Sequence, residues 1–188
     1  MNICVYGAAS DEIAPIYIQQ TEKLGELIAQ NGYGLVFGAG AHGLMGAAAR
    51  GAYAKDGQII GIVPRFFQSD GIIFANCTAL HRTDTMRERK QQMEALADAF
   101  VMVPGGIGTF EEFFEILTLK QLGRHNKPIA VLNINGYYDP LRAMLEHAVA
   151  EGFLRAQCFT LFHFCRTPEE VLKAVTAAQG PAIPQKLV

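Results

Sequence analysis

The sequence predicts an α/β protein, a Rossmann-like doubly wound parallel sheet in a three-layer α-β-α sandwich. Short β-branched runs alternate with longer amphipathic segments along almost all 188 residues. Alternation of that kind calls for parallel strands joined by crossover helices. Crossovers are right-handed, so successive helices cover both faces of the sheet.

The elements follow in order. Residues 2–6 (NICVY) form a first strand. A loop through Pro15 leads to a helix from about 16 to 31, ended by Gly32, because glycine takes the left-handed turn that closes a helix. YGLVF at 33–37 is the second strand and runs into GAGAHGLMG at 38–46; the small-residue helix GLMGAAARGAYAKD stops at Gly57. QIIGIV at 58–63 is the third strand, closed by Pro64, and residues 65–76 are irregular. A short strand around 77–82 precedes a helix over 83–97. AFVMV at 99–103 meets PGGIGT, and a helix follows from about 109 to 123. PIAVLNI at 128–134 is a strand, a helix opens near Asp139, and CFTLFHFC at 158–165 is the last strand. TPEEVLKAVTAA is a terminal helix with a Thr-Pro-Glu-Glu start suited to capping. One domain covers 1–180, with no repeat or low-complexity tract, and PAIPQKLV at 181–188 is a tail.

Composition narrows the partners. Half the residues are hydrophobic, 18% are charged, and the formal net charge is −2 with no Lys/Arg-rich run. That lacks the basic footprint of a nucleic-acid binder and the polybasic signal of a membrane-surface protein. The amino terminus, MNICVYGAAS, has no positive n-region and turns polar after a strand's length, so it is not a signal peptide. No stretch has the roughly 18 apolar residues of a membrane span. Cys4, Cys77, Cys158 and Cys165 include no C-x-x-C pair and no zinc-ligand spacing. Four buried free thiols in a reducing compartment, the cytoplasm, are expected.

Two glycine loops stand at strand ends, where such sheets bind ligands. They are Gly38-Ala39-Gly40-Ala41-His42-Gly43-Leu44-Met45-Gly46 and Pro104-Gly105-Gly106-Ile107-Gly108-Thr109. Each can offer bare backbone N–H groups and the positive end of a helix to a phosphate. Tight turning alone would also explain one such loop; two of them, with the Thr109 hydroxyl, favour a nucleotide. Neither carries the G-K-[ST] of a Walker A motif, and no acidic ribose ligand follows at dinucleotide spacing, Asp56 being on a helix end. NAD is therefore disfavoured.

Two charged positions stand out. In the helix over 83–97, Met86, Met93, Leu96 and Ala97 form an apolar stripe whose middle holds Arg89 and Lys90. A buried arginine needs an anion; Arg89 either pairs with a carboxylate such as Glu88, reaches the surface, or points into a ligand cleft. Glu112 closes a T-x-x-E sequence from Thr109, so it either completes a capping box or presents a carboxylate to a bound ribose. Glu111 projects about 100° away around the helix. Glu94 and Asp98 suit surface or capping roles, and His81 and His125 suit structural ones.

Joined, MRERK at 86–90 and PGGIGTFEE at 104–112 resemble the "lonely guy" family of cytokinin riboside 5′-monophosphate phosphoribohydrolases, whose pattern is P-G-G-x-G-T-x-x-E with an upstream M-x-x-R-K. GLMG at 43–46, QLGRHNKP and NINGYYDPL extend the likeness from about residue 2 to 175. The resemblance implies Arg89 and Glu112 as catalytic residues, and phosphate binding by Gly105, Gly106, Gly108 and Thr109. It puts Gly43, Met45, Met86 and Lys90 at the substrate. It implies hydrolysis of a purine nucleoside 5′-monophosphate, with no metal or organic cofactor, by a homodimer with its cleft near the subunit boundary. Arg87 stands where many members have His, and Ala39 replaces a glycine. Some members carry a lysine decarboxylase label, yet no lysine here has a pyridoxal-phosphate context. A nucleotide carrier or sensor on the same fold is the alternative; it would need the glycine loops but not the acid.

Overall fold

Seven parallel strands build one sheet in the computed structural model, which describes residues 1–67 and 71–177. They are β1 (Asn2–Tyr6), β2 (Gly34–Phe37), β3 (Ile59–Pro64), β4 (Ala79–Thr83), β5 (Ala99–Met102), β6 (Ile129–Leu132) and β7 (His163–Cys165). Their order across the sheet is β4-β3-β2-β1-β5-β6-β7. The helices are α1 (Pro15–Gln30), α2 (Gly43–Tyr53), α3 (Met86–Leu96), α4 (Ile107–Gln121), α5 (Asp139–Ala150) and α6 (Pro168–Thr176). Every residue of β2, β3, β5 and β6 is buried, as expected of parallel strands covered on both faces.

Alternation along β1 divides the core in two. Ile3 and Val5 face a cluster with Leu24 and Ile28 of α1, Leu44 and Ala48 of α2, and Val171 of α6. Cys4 and Tyr6 face the other cluster, with Met93 of α3, Phe113 and Leu117 of α4, and Leu145 of α5. Each fully buried Leu, Ile or Phe contributes roughly 1.5–3 kcal/mol of hydrophobic stabilisation. The three-layer α-β-α sandwich is therefore present, and β1 lies at its switch point, between β2 and β5. From β1 the chain winds one way and from β5 the other, so their carboxyl-end loops diverge and open a crevice.

Several local expectations shift. CFTLFHFC is not one strand: Ala156–Thr160 makes a 3₁₀ turn and only His163–Cys165 joins β6. Met86 is 41% exposed, not part of the core stripe, because α3 begins only there. All four cysteines are free thiols, but Cys77 is only half-buried. In the irregular stretch 65–76, residues 71–74 lie along the first glycine loop, with Ala41 N–H bonded to Ile72 O (2.8 Å) and Phe74 N–H to Ala39 O (2.9 Å); residues 68–70 lie outside the described residues, as does the tail at 181–188.

Candidate functional site

The two glycine loops differ in what their amides do. At the start of α2, Gly43 N–H donates to Asp11 Oδ1 (2.7 Å), while Leu44 and Met45 N–H both point to Ala8 O (2.8 and 3.3 Å). Asp11 Oδ2 lies 2.6 Å from His42 Nδ1. The Gly43 amide, then His42, hold the Asp11 carboxyl below its usual range. Gly43 has φ +58°, and a Cβ there would come within 2.4 Å of Ala8 O. The expectation of bare amides is thus corrected for this loop: Asp11 already fills the anion position of α2.

The second loop is open. Its carbonyls are held from behind, Val103 O by Tyr138 Oη (2.8 Å), Pro104 O by Ala8 N–H (3.0 Å) and Gly105 O by Tyr137 Oη (2.7 Å). The amides of Gly106, Ile107, Gly108 and Thr109 donate to no acceptor among the described residues. A Cβ on Gly106 or Gly108 would meet nothing within 4 Å, which leaves room for a ligand at the backbone. Thr109 is 4% exposed, and its hydroxyl, packed against Gly105, bonds to no described residue. Unpaired donors at a helix start make an anion cradle. Beside it, Ala8, Tyr17, Leu44, Gly106 and Tyr137 line an apolar cavity of about 200 Å³.

Glu112 is not a capping residue. Gly106 is the N-cap of α4, with no side-chain cap, so Thr109 is the third helical residue and Glu112 the sixth. Glu112 Oε1 instead accepts from Arg89 Nη1 at 3.0 Å. The two side chains are 12% and 9% exposed. Arg89 Nε also donates to Ile62 O (3.2 Å) at the end of β3, and a Cβ on Gly38 would lie 1.9 Å from Nη2. The guanidinium therefore occupies a slot across the ends of β2 and β3. Burial raises the Glu112 pKa against the lowering influence of Arg89, and burial wins. Tyr6, buried and stacked on Phe100 at 6.1 Å, belongs to the same side of the sheet.

The other expected residues take distinct positions. Met45 shares the Gly38 surface with Arg89, its Sδ lying 3.3 Å from an added Cβ. Lys90 bonds Glu111 and, at 2.9 Å, Glu115, bridging α3 to α4 beside the inner pair. Burial works against its charge, but the two carboxylates outweigh that and raise its pKa.

Comparison with known proteins decides the family. A family model described as "Possible lysine decarboxylase" matches residues 45–175. The cytokinin riboside 5′-monophosphate phosphoribohydrolase of Rhodococcoides fascians is 40% identical over 93% of this chain and 88% of its own. A probable enzyme of the same name from Oryza sativa subsp. japonica is 35% identical over 92% of this chain and 77% of its own. The chain belongs to this phosphoribohydrolase family. Among solved structures, the molybdenum cofactor binding protein of Rippkaea orientalis superposes with a TM-score of 0.71, covering 94% of this chain and 97% of its own at 22% identity. A molybdenum cofactor carrier protein of Chlamydomonas reinhardtii gives 0.71 at 24% identity, over 93% and 94% of the two chains. At those identities the likeness concerns the fold alone.

Within this family member, several site neighbours carry no local sequence signal. Asp11 lies in a polar loop, Gly38 precedes a longer glycine run, and Tyr137 sits 32 residues from its partner Gly105. The histidines expected to be structural are so placed: His81 Nδ1 meets Gln92 Nε2 at 3.0 Å, and His125 Nε2 bonds Ile116 O at 2.9 Å. Among the described residues no group of three His, Cys, Asp or Glu is close enough to share a metal ion.

Proposed function

We propose that the protein hydrolyses the N-glycosidic bond of adenosine 5′-monophosphates, N6-substituted cytokinin nucleotides included, to free base and ribose 5-phosphate. One observation carries this reading: the buried Arg89–Glu112 pair stands one helical turn along α4 from an open anion cradle. Four residues of helix span about 6 Å, the scale of a ribose between its 5′-phosphate and C1′. The family's named activity supports the same reading.

The phosphate binds the free amides of Gly106, Ile107 and Gly108 and the Thr109 hydroxyl, and its binding energy fixes the sugar. As the C1′–N9 bond breaks, its electron pair leaves with the base and positive charge develops on the sugar. The Glu112 carboxylate stabilises that cation and takes a proton from the water that adds to C1′; the departing base takes up one proton in turn, and release of the proton from Glu112 restores the carboxylate. Arg89 keeps Glu112 ionised and oriented. Gly43, Met45 and Met86 border the base and ribose, and Lys90 keeps α3 and α4 together around the pair. The chemistry calls for no metal or organic cofactor. The protein works as a cytoplasmic homodimer that takes neither nucleic acid nor membrane as a partner; no described helix is long and apolar enough to cross a membrane.

The test is chromatography of purified protein incubated with AMP and, separately, isopentenyladenosine monophosphate, beside a Glu112→Gln variant. Wild type is expected to release free base, and the variant to lose about 10²- to 10⁴-fold in kcat while still binding nucleotide. Intact nucleotides, under conditions where calorimetry shows binding, would refute the enzyme and leave a carrier or sensor.

A further inference from the structure

We propose that Tyr137 is a positioning residue for the anion cradle, aiming the Gly106 amide at the ligand by holding the carbonyl behind it. The proposal rests on the reading of the α4 start as the phosphate site. A trans peptide is planar, with its C=O and N–H directed oppositely. Fixing one end of the Gly105–Gly106 peptide therefore fixes the other. Tyr137 Oη donates to Gly105 O at 2.7 Å, so Gly106 N–H is turned away from the tyrosine, where no described residue accepts it. Glycines flanking a peptide restrain its plane less than any other residue. At Gly105–Gly106 the external hydrogen bond must supply that restraint.

Tyr137 is itself held. Asn135 (φ 51°) and Gly136 (φ 73°) turn the chain before it. Asn133 then closes the turn, its Nδ2 donating to Asp139 Oδ1 and its Oδ1 accepting from Tyr138 N–H, both at 2.7 Å. The Tyr137 ring packs edge-on against Tyr138 (4.9 Å) and Tyr17 (6.0 Å), so the hydroxyl is presented by a braced ring.

The neighbouring tyrosine supplies an internal control. Tyr138 Oη makes the equivalent bond to Val103 O at 2.8 Å and also meets the Gly105 backbone, whose amide is not among the cradle's donors. The Val103 carbonyl belongs to the peptide entering Pro104, which has no N–H to aim. Tyr138 is 1% exposed and Tyr137 is 40% exposed. Tyr138 thus holds the fold, whereas Tyr137 holds a donor.

The experiment compares wild type, Tyr137→Phe and Tyr138→Phe by titration calorimetry with ribose 5-phosphate, thermal melting, and steady-state kinetics on AMP or isopentenyladenosine monophosphate. Tyr137→Phe keeps every ring contact. It is expected to weaken ribose 5-phosphate binding about five- to tenfold, the scale of one hydrogen bond, and to raise KM in step while kcat and the melting temperature stay near wild type. Tyr138→Phe is expected to lower the melting temperature and leave ribose 5-phosphate affinity unchanged. Unaltered affinity in Tyr137→Phe, equal losses in both variants, or no ribose 5-phosphate binding by wild type would each overturn the proposal. Wild type that binds ribose 5-phosphate more tightly than Tyr137→Phe, yet releases no base, would support it while removing the hydrolase reading.

Discussion

Arg89 at 7% exposure shows how a charge is kept inside this protein. Removing a guanidinium from water costs several kcal/mol, and one ion pair recovers little more than that cost; such a pair is a poor stability device and an apt chemical one. What fixes it is shape as much as charge. Gly38 leaves the space that Nη2 fills, and a Cβ there would stand 1.9 Å away. Gly38→Ala is therefore expected to push the guanidinium off Glu112 and lower kcat by tenfold or more. The same variant tests the titration of Glu112. Burial raises that pKa and Arg89 lowers it, with burial ahead. In the proposed mechanism the reaction needs the carboxylate, so wild-type kcat/KM is expected to fall on acidification at a pH above the usual carboxylate range. Withdrawing Arg89 removes the lowering influence, so in Gly38→Ala the acid limb moves to higher pH. A pH–rate profile in which the limb stays put or moves down would show that Arg89 does not act on Glu112. Sequence alone makes Arg89 conspicuous as a charge on an apolar stripe, but Gly38 is one glycine in a run, and its necessity lies in a side chain 51 positions away.

At the scale of elements, three T-x-x-E sequences meet two fates. Thr85 caps α3 through Glu88 N–H (3.1 Å) and Thr167 caps α6 through Glu170 N–H (3.2 Å). Thr109 and Glu112 do not form the third box, because α4 starts two residues before Thr109. The pattern is identical in all three; the difference is a partner for Glu112 that is 23 residues distant, which no local window contains. The same limit hid Asp11, whose carboxylate closes the α2 amides that composition left looking free. Small-residue spacing is likewise ambiguous until helices meet. A Cβ on Gly51 would stand 1.9 Å from Glu22 O, and one on Gly25 would stand 2.0 Å from Ala48 O, so α1 and α2 touch backbone to backbone. Gly→Ala inside a helix gains about 0.5–1 kcal/mol of propensity. Forced separation of two helices costs about 1–3 kcal/mol or more, and here the obstacle is a carbonyl that cannot swing aside. Gly51→Ala is accordingly expected to destabilise, read as a lower denaturant midpoint; an unchanged or higher midpoint would mean the crossing is looser than drawn.

Across the whole molecule, the strand–helix alternation was readable because buried parallel strands are short β-branched runs, and those runs recur along nearly the full chain. β7 is shorter than its composition suggests: CFTLFHFC has strand composition throughout, while only three of its residues pair with β6. The crevice itself is a product of sheet order, which no local pattern encodes. That order also leaves the two helical layers unequal. In the α1–α2–α6 layer the helices pack closely over a continuous apolar cluster, with Tyr53 at the end of α2 left 54% exposed. On the opposite face α5 buries only Leu145, with Met144 53% exposed, and Phe153 just beyond it is 86% exposed. Ile107, in the first turn of α4 and adjoining the anion cradle, is 83% exposed. Large apolar side chains this open on one layer suit burial against a second copy, and a stable contact needs about 800 Å² from each partner. A contact that includes Ile107 would also border the cradle. Sedimentation of the wild type is expected to give twice the 20.5 kDa chain mass. Met144→Lys combined with Phe153→Lys touches neither cradle nor ion pair, and is expected to give a folded monomer with circular dichroism unchanged. Loss of base release in that monomer would mean the second copy completes the cleft; full activity would confine its role to covering α5. A wild type that sediments as a monomer at tens of micromolar, a range where obligate contacts of that area hold, would remove the dimer altogether.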